Sequence, residues 1–348
     1  MSKKKYFSSK IQDWYSENKR DLPWRNNIEP YKIWLSEIIL QQTRVEYGKS
    51  YFVLFISTYP TINDLAKASE KEVLKLWQGL GYYSRARNLH KTAKIITENY
   101  NGLFPNSYSK LLSFPGVGPY TAAAISSICF RQPHAVVDGN VYRVLSRYFG
   151  INEPINTGHA KKSFQTLADE LLDSKDPGNY NQSIMEFGAL QCKPKNPLCH
   201  NCILMGSCTA FYEHKVTDYP IKKGVQKIKK RYFNYVVPLL PNKQTTLIKR
   251  KEKDIWQHLY EFPLLETSIQ LTLENIRDES NLPDWVLKDR LSLYNHKPWI
   301  HQLSHQSIYA SFWILQTDSV PTEQISVSKL STYPVSRLVE RFLHKFFD

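Results

Sequence analysis

Apolar residues in the first 210 positions recur at intervals of three and four. Ile33, Leu35, Ile38, Ile39 and Leu40 form one such set, and Tyr51, Phe52, Leu54 and Phe55 the next. That spacing predicts helices with one buried face rather than strands. Asn63-Asp64 opens a further helix, and Ser69 is placed as the N-cap of the stretch SEKEVLKLW. Breaks are expected at Gly79 and Gly81, at Pro105, and from Pro115 to Pro119. The periodicity lapses in TDYPIKKGVQKIKKRYF, where proline, glycine and lysines replace it, so a basic linker is expected at 215–231. Beyond it, Tyr232–Leu240 and Ser307–Leu315 are rich in β-branched and aromatic residues and read as strands, while LENIRDE and VSRLVERFLHKFF read as helices. The expected organisation is a mainly α domain over 1–214, the linker, and an α+β domain over 232–348, with no internal repeat.

A length of 348 residues suits two domains, and 42% hydrophobic residues supply packed cores rather than a disordered chain. The apolar runs are too short to span a bilayer, so no membrane association is expected. The basic start MSKKKYFSSK leads into Ile-Gln-Asp-Trp rather than an apolar stretch, which argues against a secretory leader and for a reducing, cytoplasmic setting. Net charge is +14, and it is unevenly placed: residues 1–214 carry +8, residues 215–231 carry +6, and the rest is neutral. This is the footprint of a polyanion bound by the first domain and linker. Solubility alone is the competing reading of the charge.

Cys192, Cys199, Cys202 and Cys208 are four of only five cysteines and are spaced C-x6-C-x2-C-x5-C. Four thiolates converging from one short loop hold zinc or an iron–sulfur cluster, and the residues alone leave both open. The fifth, Cys129, reads as a core residue. The segment from Leu112 to Ala124, LSFPGVGPYTAAA, joins two helical stretches. Phe114 closes the first, and Pro119 fits the opening turn of the second. Gly116 and Gly118 between them let backbone amides approach a phosphate in front of a helix N-terminus.

The hairpin, then Val136-Val-Asp138-Gly-Asn-Val-Tyr-Arg143, then the cysteine loop, resemble in that order the helix–hairpin–helix DNA glycosylases of the endonuclease III superfamily. Within it, Leu22-Pro-Trp-Arg25, Trp34-Leu-Ser-Glu37-Ile-Ile-Leu-Gln-Gln-Thr43 and Trp77-Gln-Gly-Leu-Gly-Tyr-Tyr-Ser-Arg85 are similar to the adenine DNA glycosylase (MutY) branch. The resemblance implies a [4Fe–4S] cluster on the four cysteines. It also implies double-stranded DNA holding A opposite 8-oxoguanine or G as the substrate, bound by a monomer near the nucleoid. Trp256-Gln-His-Leu-Tyr-Glu-Phe-Pro263 and His301-Gln-Leu-Ser-His305 resemble the branch's Nudix-like lesion-recognition domain, without an acidic Nudix catalytic box.

Breaking an N-glycosidic bond requires an acid for the leaving base and an anion facing the sugar cation. Glu37, set among Trp34, Leu35, Ile38, Ile39 and Leu40, has an apolar neighbourhood that raises a carboxyl pKa; the resemblance makes it the acid. Asp138 reads from sequence as an N-cap, and the resemblance makes it the anion. Tyr120 stands where bifunctional relatives place a Schiff-base lysine, so base removal with weak or no strand cleavage is expected, with Tyr120 near Asp138 and Asn140. By resemblance Trp24, Arg25 and Glu186 line the adenine pocket, while Gln42, Leu80 and Tyr82 wedge into the duplex or meet the opposite base. Gly79 and Gly81 suggest an exposed turn for Leu80. Lys193 and Lys195 are placed on the DNA backbone with Gly116 and Gly118. Ser304 and His305 keep the polar pair of a lesion-reading turn whose aromatic is replaced by Leu303. Two other readings remain at this point: a pyrimidine glycosylase of the same superfamily, and a non-enzymatic iron–sulfur DNA sensor.

Overall fold

The computed structural model describes residues 2–224 and 228–348. The chain forms two compact units, Met1–Lys67 with Asn88–Gly224, and Ala68–Arg87 with Val225–Asp348. Residues 68–87 thus join the second unit although they lie in the helical part of the sequence. Of the expected linker, Val225 to Lys227 lie outside the described residues, and the first strand already starts at Lys229.

The helices are α1 (Lys3–Asn18), α2 (Pro30–Leu40), α3 (Val45–Thr58), α4 (Ile62–Lys67), α5 (Glu70–Leu76), α6 (Ser84–Tyr100), α7 (Tyr108–Leu112), α8 (Pro119–Phe130), α9 (Gly139–Phe149), α10 (Gly158–Leu171), α11 (Pro177–Leu190), α12 (Thr209–Tyr212), α13 (Leu273–Asp278) and α14 (Arg337–Phe346). In the first unit α8 is buried from Thr121 through Ile128, as a helix apolar on all sides must be. It packs against α2, α7 and α11, and α11 packs in turn on α1 and α9. Gly178 permits that approach, because a Cβ there would stand 2.8 Å from the Ile128 Cα and 2.9 Å from the Ser127 carbonyl.

Buried Asn181 on α11 ties down the chain entering α9. Its Nδ2 donates to Ser127 Oγ at 2.9 Å and to the His134 carbonyl at 2.8 Å, and its Oδ1 accepts from the Val136 N–H at 3.1 Å. Asp138 then caps α9 as the sequence predicts, accepting from the N–H groups of Asn140 at 2.9 Å and Val141 at 2.8 Å. The hairpin also forms as read. α7 ends at Leu112, Pro119 is the first residue of α8, and Gly116 takes a φ of 76°.

The second unit holds a sheet in the order β5-β1-β8-β6, with β7 also paired to β8. Its strands are β1 (Lys229–Leu239), β5 (Leu264–Thr267), β6 (Leu291–Leu293), β7 (Trp299–Gln302) and β8 (Gln306–Gln316); the short pieces β2 (Gln244–Thr245), β3 (Ile248–Lys249), β4 (Tyr260–Glu261) and β9 (Ile325–Ser326) pair separately. β1 and β8 run parallel from Lys229 opposite Gln306 to Leu239 opposite Gln316. Both faces are covered, which the alternation along these strands dictates. Phe233, Tyr235, Ile308 and Phe312 meet Leu338, Val339 and Phe342 of α14, whereas Val236, Trp313 and Leu315 meet Ile276 of α13. α5 starts at the N-cap anticipated at Ser69, and the cap is a full capping box, the Ser69 side chain accepting from the Glu72 N–H and Glu72 reaching back. Among the described residues no helix is long and apolar enough to cross a membrane.

Asn181→Leu should strand the Val136 N–H and the His134 carbonyl. The expected loss is about 2–4 kcal/mol of stability, read as a lowered thermal midpoint, together with slower turnover because the Asp138 cap is set loose.

Candidate active site

A pocket of about 470 Å³ opens in the first unit between α2, α8, α9 and α11. It brings together Trp24, Arg25, Glu37, Gln42, Tyr120, Asp138, Asn140 and Glu186, residues spread over more than 160 positions of sequence. Glu37 comes half-buried from α2, Tyr120 from the first turn of α8, and Asp138 and Asn140 from the start of α9.

Burial drives the Glu37 carboxyl up to about 7; a hydrogen bond from the Tyr120 hydroxyl opposes the rise, and the charge of Asp138 adds to it. Asp138 is also raised by burial, against the pull of the Val141 N–H, both nitrogens of Asn140 and the Arg143 charge. Its Oδ2 accepts from Asn140 Nδ2 at 2.8 Å in addition to the two capping bonds to Oδ1. Two carboxylates in one pocket do not ionise independently. Of the two, Asp138 has the stronger hydrogen-bond support. The Tyr120 phenol, buried and facing both acids, is pushed far above its ordinary value and stays neutral; its hydroxyl also lies 3.1 Å from Met185 Sδ.

At the other side of the pocket Glu186, only 2% exposed, is saturated by guanidinium groups. Arg20 donates its N–H and Nε to Oε1 at 2.9 and 2.8 Å and Nη2 to Oε2 at 2.8 Å. Arg25 reaches Oε2 at 2.9 Å and also holds the Arg20 carbonyl at 3.0 Å. Burial alone would raise this carboxyl, but the bonds from Arg20 and Arg25 prevail and hold it at about 2. Glu186 therefore acts as a buried anchor for two cations that face the pocket. Arg20 was missed in the sequence because Lys19-Arg20-Asp21 looks like an ordinary solvated charge run. Only its pairing with a distant carboxylate distinguishes it.

The cysteine loop lies behind the pocket. All four of Cys192, Cys199, Cys202 and Cys208 line one small cavity with Arg147, Tyr148 and Phe187. Among the described residues no group of three or more His, Cys, Asp or Glu is disposed to hold a metal ion. Burial and the neighbouring sulfurs push Cys202 up to about 12. Arg147, itself buried, donates to Cys192 Sγ at 3.4 Å and to the Lys193 carbonyl at 2.7 Å. Arg143 spans from the Cys192 carbonyl at 2.8 Å to Asn140 Oδ1 at 2.8 Å. Lys193 is half-buried and Lys195 exposed on this loop. At the hairpin, a Cβ on Gly118 would meet no atom within 4 Å, and no side chain caps α8. Its first amides are thus open to an anion.

Other expected residues lie in the second unit. Tyr82 is 42% exposed at a φ of 48°, and its hydroxyl is hydrogen-bonded to Ser304 Oγ in the β7–β8 turn, beside exposed His305. Leu80 departs from expectation. Gly79 and Gly81 do take positive φ of 103° and 72°, but the turn directs Leu80 inward, leaving it 7% exposed. Leu80 therefore packs inward rather than standing exposed on the turn. Leu303 packs against the core of this unit.

Residues 35–170 match the HhH-GPD superfamily of base excision DNA repair proteins. A thermostable thymine-DNA glycosylase of known structure superposes with a TM-score of 0.57 at 32% identity, covering 61% of this chain and 97% of that one. The adenine DNA glycosylase of Buchnera aphidicola subsp. Schizaphis graminum is 37% identical over 308 residues, 87% of this chain and 85% of the relative. That of Homo sapiens is 42% identical over 213 residues, 59% and 39% of the two chains. The chain belongs to the adenine DNA glycosylase family, DNA N-glycosylases of base excision repair.

Since the Glu186 carboxyl sits at about 2 rather than 4.5, folding favours its ionised form. That contribution, about 3 kcal/mol, is fully present above the unfolded-state value and drains away as the pH falls from about 5 towards 2. Arg20→Gln should lose much of it, lowering stability at neutral pH and moving the acid-unfolding midpoint, followed by circular dichroism, to higher pH.

Proposed function

We propose that the enzyme hydrolyses the N-glycosidic bond of adenine standing opposite 8-oxoguanine or G in duplex DNA, and leaves the strand intact. The observation that carries this is the unequal pair of carboxyls, Glu37 held near neutrality and Asp138 bonded as an anion, in a pocket large enough for a flipped base. Protonated Glu37 transfers its proton to a ring nitrogen of adenine as the bond from the sugar C1′ breaks, so the bonding electrons leave with a neutral base. Asp138 faces the resulting oxocarbenium and stabilises it until water adds to C1′. Neutral Tyr120 orients Glu37, and Asn140 fixes Asp138. Trp24 and the guanidinium of Arg25, anchored on Glu186, line the base subsite, with Gln42 at its edge.

No lysine among the described residues lines the pocket, and position 120 is a tyrosine, so the amine needed for a Schiff base is missing there. Base release without strand cleavage follows. The second unit, a mixed sheet covered on both faces, supports a Nudix-like lesion-reading role in which Tyr82, Ser304 and His305 meet the opposite base. The protein acts as a monomer on the duplex, gripping its backbone through the amides of Gly116 and Gly118 and through Lys193 and Lys195.

The four cysteines suit a [4Fe–4S] cluster. They share one cavity and carry no carboxylate among them, and burial raises the thiols of Cys199, Cys202 and Cys208, so a strong cationic centre is needed to ionise those three. Bound there, the cluster would order the loop carrying Lys193 and Lys195, and Arg147 would donate to its Cys192 ligand.

Single-turnover base release from A opposite 8-oxoguanine tests the assignment. Activity should fall as the pH rises through about 7, where Glu37 loses its proton; a rate that climbs through that range sinks it. Glu37→Gln should slow release by roughly 10²–10⁴-fold with the fold intact. Cys202→Ala should lower the iron and sulfide bound per chain, the visible absorbance and the thermal midpoint together; unchanged iron content contradicts the cluster.

A further inference from the structure

Among the contacts that hold the segment 68–87 within the second unit, one set converges on a single stretch of backbone, Tyr333-Pro334-Val335, and on the first turn of α14, while Glu70 pairs with Lys249 and His258 and Arg87 donates to the Gln257 carbonyl. Lys75 Nζ donates to the Tyr333 carbonyl at 3.4 Å, and the Tyr83 hydroxyl donates to the Val335 carbonyl at 3.4 Å. Between them Gln78 uses both ends of its amide. Its Nε2 donates to Glu340 Oε1 at 2.7 Å, and its Oε1 accepts from the Val335 N–H at 3.2 Å and from Lys75 Nζ at 3.1 Å.

Gln78 immediately precedes the turn that presents Tyr82. That turn is neither helix nor strand, and side chains shape it: Trp77 Nε1 donates to the Gly81 carbonyl at 3.0 Å, and Arg85 Nη2 donates to the carbonyls of Leu80 at 3.3 Å and Gly81 at 3.1 Å. Tyr82 itself occupies the left-handed region, with a φ of 48°. A residue other than glycine persists there only when its surroundings hold it.

We propose that Gln78 is a positioning residue for discrimination of the base opposite adenine. By fastening the foot of the turn to Glu340 and Val335, it keeps the Tyr82 hydroxyl in register with Ser304 Oγ. This rests on the reading of Tyr82 and Ser304 as contacts to that base. Hydroxyl groups select a partner by direction as much as by proximity, so a pair mounted on two separate segments discriminates only while those segments keep a fixed spacing. Gln78 is suited to the task because one planar amide binds a carboxylate and a backbone N–H at the same time. A hydrocarbon of equal size would fill the space but fix neither.

The test measures base release and duplex affinity for A opposite 8-oxoguanine and A opposite G, with thermal melting of every variant. Gln78→Leu should lower the preference for 8-oxoguanine roughly tenfold, the effect of losing one or two partly buried hydrogen bonds. The loss should appear in affinity for the 8-oxoguanine duplex, with the rate at saturation retained. Glu340→Leu should reproduce the loss without adding to it in the double variant, and Glu340→Gln, which keeps an oxygen for the Gln78 amide, should restore the preference. A lower melting temperature with unchanged preference in Gln78→Leu overturns the proposal. So does loss of preference in Ser304→Ala but not in Gln78→Leu, a result that leaves the underlying reading standing. If neither Ser304→Ala nor Tyr82→Phe alters the preference, the reading itself fails and the positioning role falls with it.

Discussion

The pocket is organised around two carboxyls, Glu37 and Asp138, that receive unequal hydrogen-bond support. Burial raises both Glu37 and Asp138, and each disfavours ionisation of the other. What separates them is the number of hydrogen-bond donors each is given. Asp138 has two backbone amides of α9 and the Asn140 side chain, while Glu37 has the Tyr120 phenol. An N-cap is a stable way to deliver such donors, because the first amides of a helix have no partners of their own. The same bonds that start α9 therefore also oppose the effect of burial on the Asp138 carboxyl.

Fixing that geometry takes a surrounding shell that is itself polar and buried. Asn181 secures the approach to Asp138, and Arg143 ties Asn140 to the carbonyls of Gly188 and Cys192. Gly188 is small for a reason, since a Cβ there would stand 2.7 Å from that of Asn140. The donors of Arg143 and Arg147 are taken up by carbonyls and a sulfur in these contacts, while the charges of Arg20 and Arg25 are paired with Glu186. Placing a guanidinium among carbonyls is costly unless most of its donors are used. The cysteine loop supplies several of the acceptors, so the order of that loop bears on Asn140 through Arg143.

Much of this was legible in the sequence where local rules and chemistry coincide. The cap at Asp138, the Pro119 start of α8, the N-cap at Ser69 and the strands around Tyr232–Leu240 and Ser307–Leu315 each follow from short-range patterns, and the structure forms them within a few residues. Arg20 was not legible, because its partner is 166 residues away and a charged triplet near a helix end ordinarily faces water. Leu80 was misjudged because flanking glycines mark a turn but say nothing about which way the residue between them points. The attachment of 68–87 to the second unit was equally hidden. Its contacts are long-range hydrogen bonds of Gln78, Lys75 and Tyr83, and a helical periodicity cannot reveal what a helix packs against.

The replacement at position 303 can be understood on the same terms. An aromatic side chain in a hairpin turn can stack on a base only if it leaves the core, but Leu303 packs against the hydrophobic core beside β7 and β8, and its N–H closes the turn on the Gln306 carbonyl at 2.9 Å. Leu303 is thus part of the support for the turn. The groups exposed at this end of the unit are polar, the Tyr82 and Ser304 hydroxyls and His305. Stacking tolerates small displacements, since every base offers a face, whereas hydrogen bonds weaken steeply with misalignment. Under the proposed reading, hydroxyls in place of a stacking ring need a stiffer mount, and residues 75–83 are fastened to the Tyr333–Val335 backbone and α14.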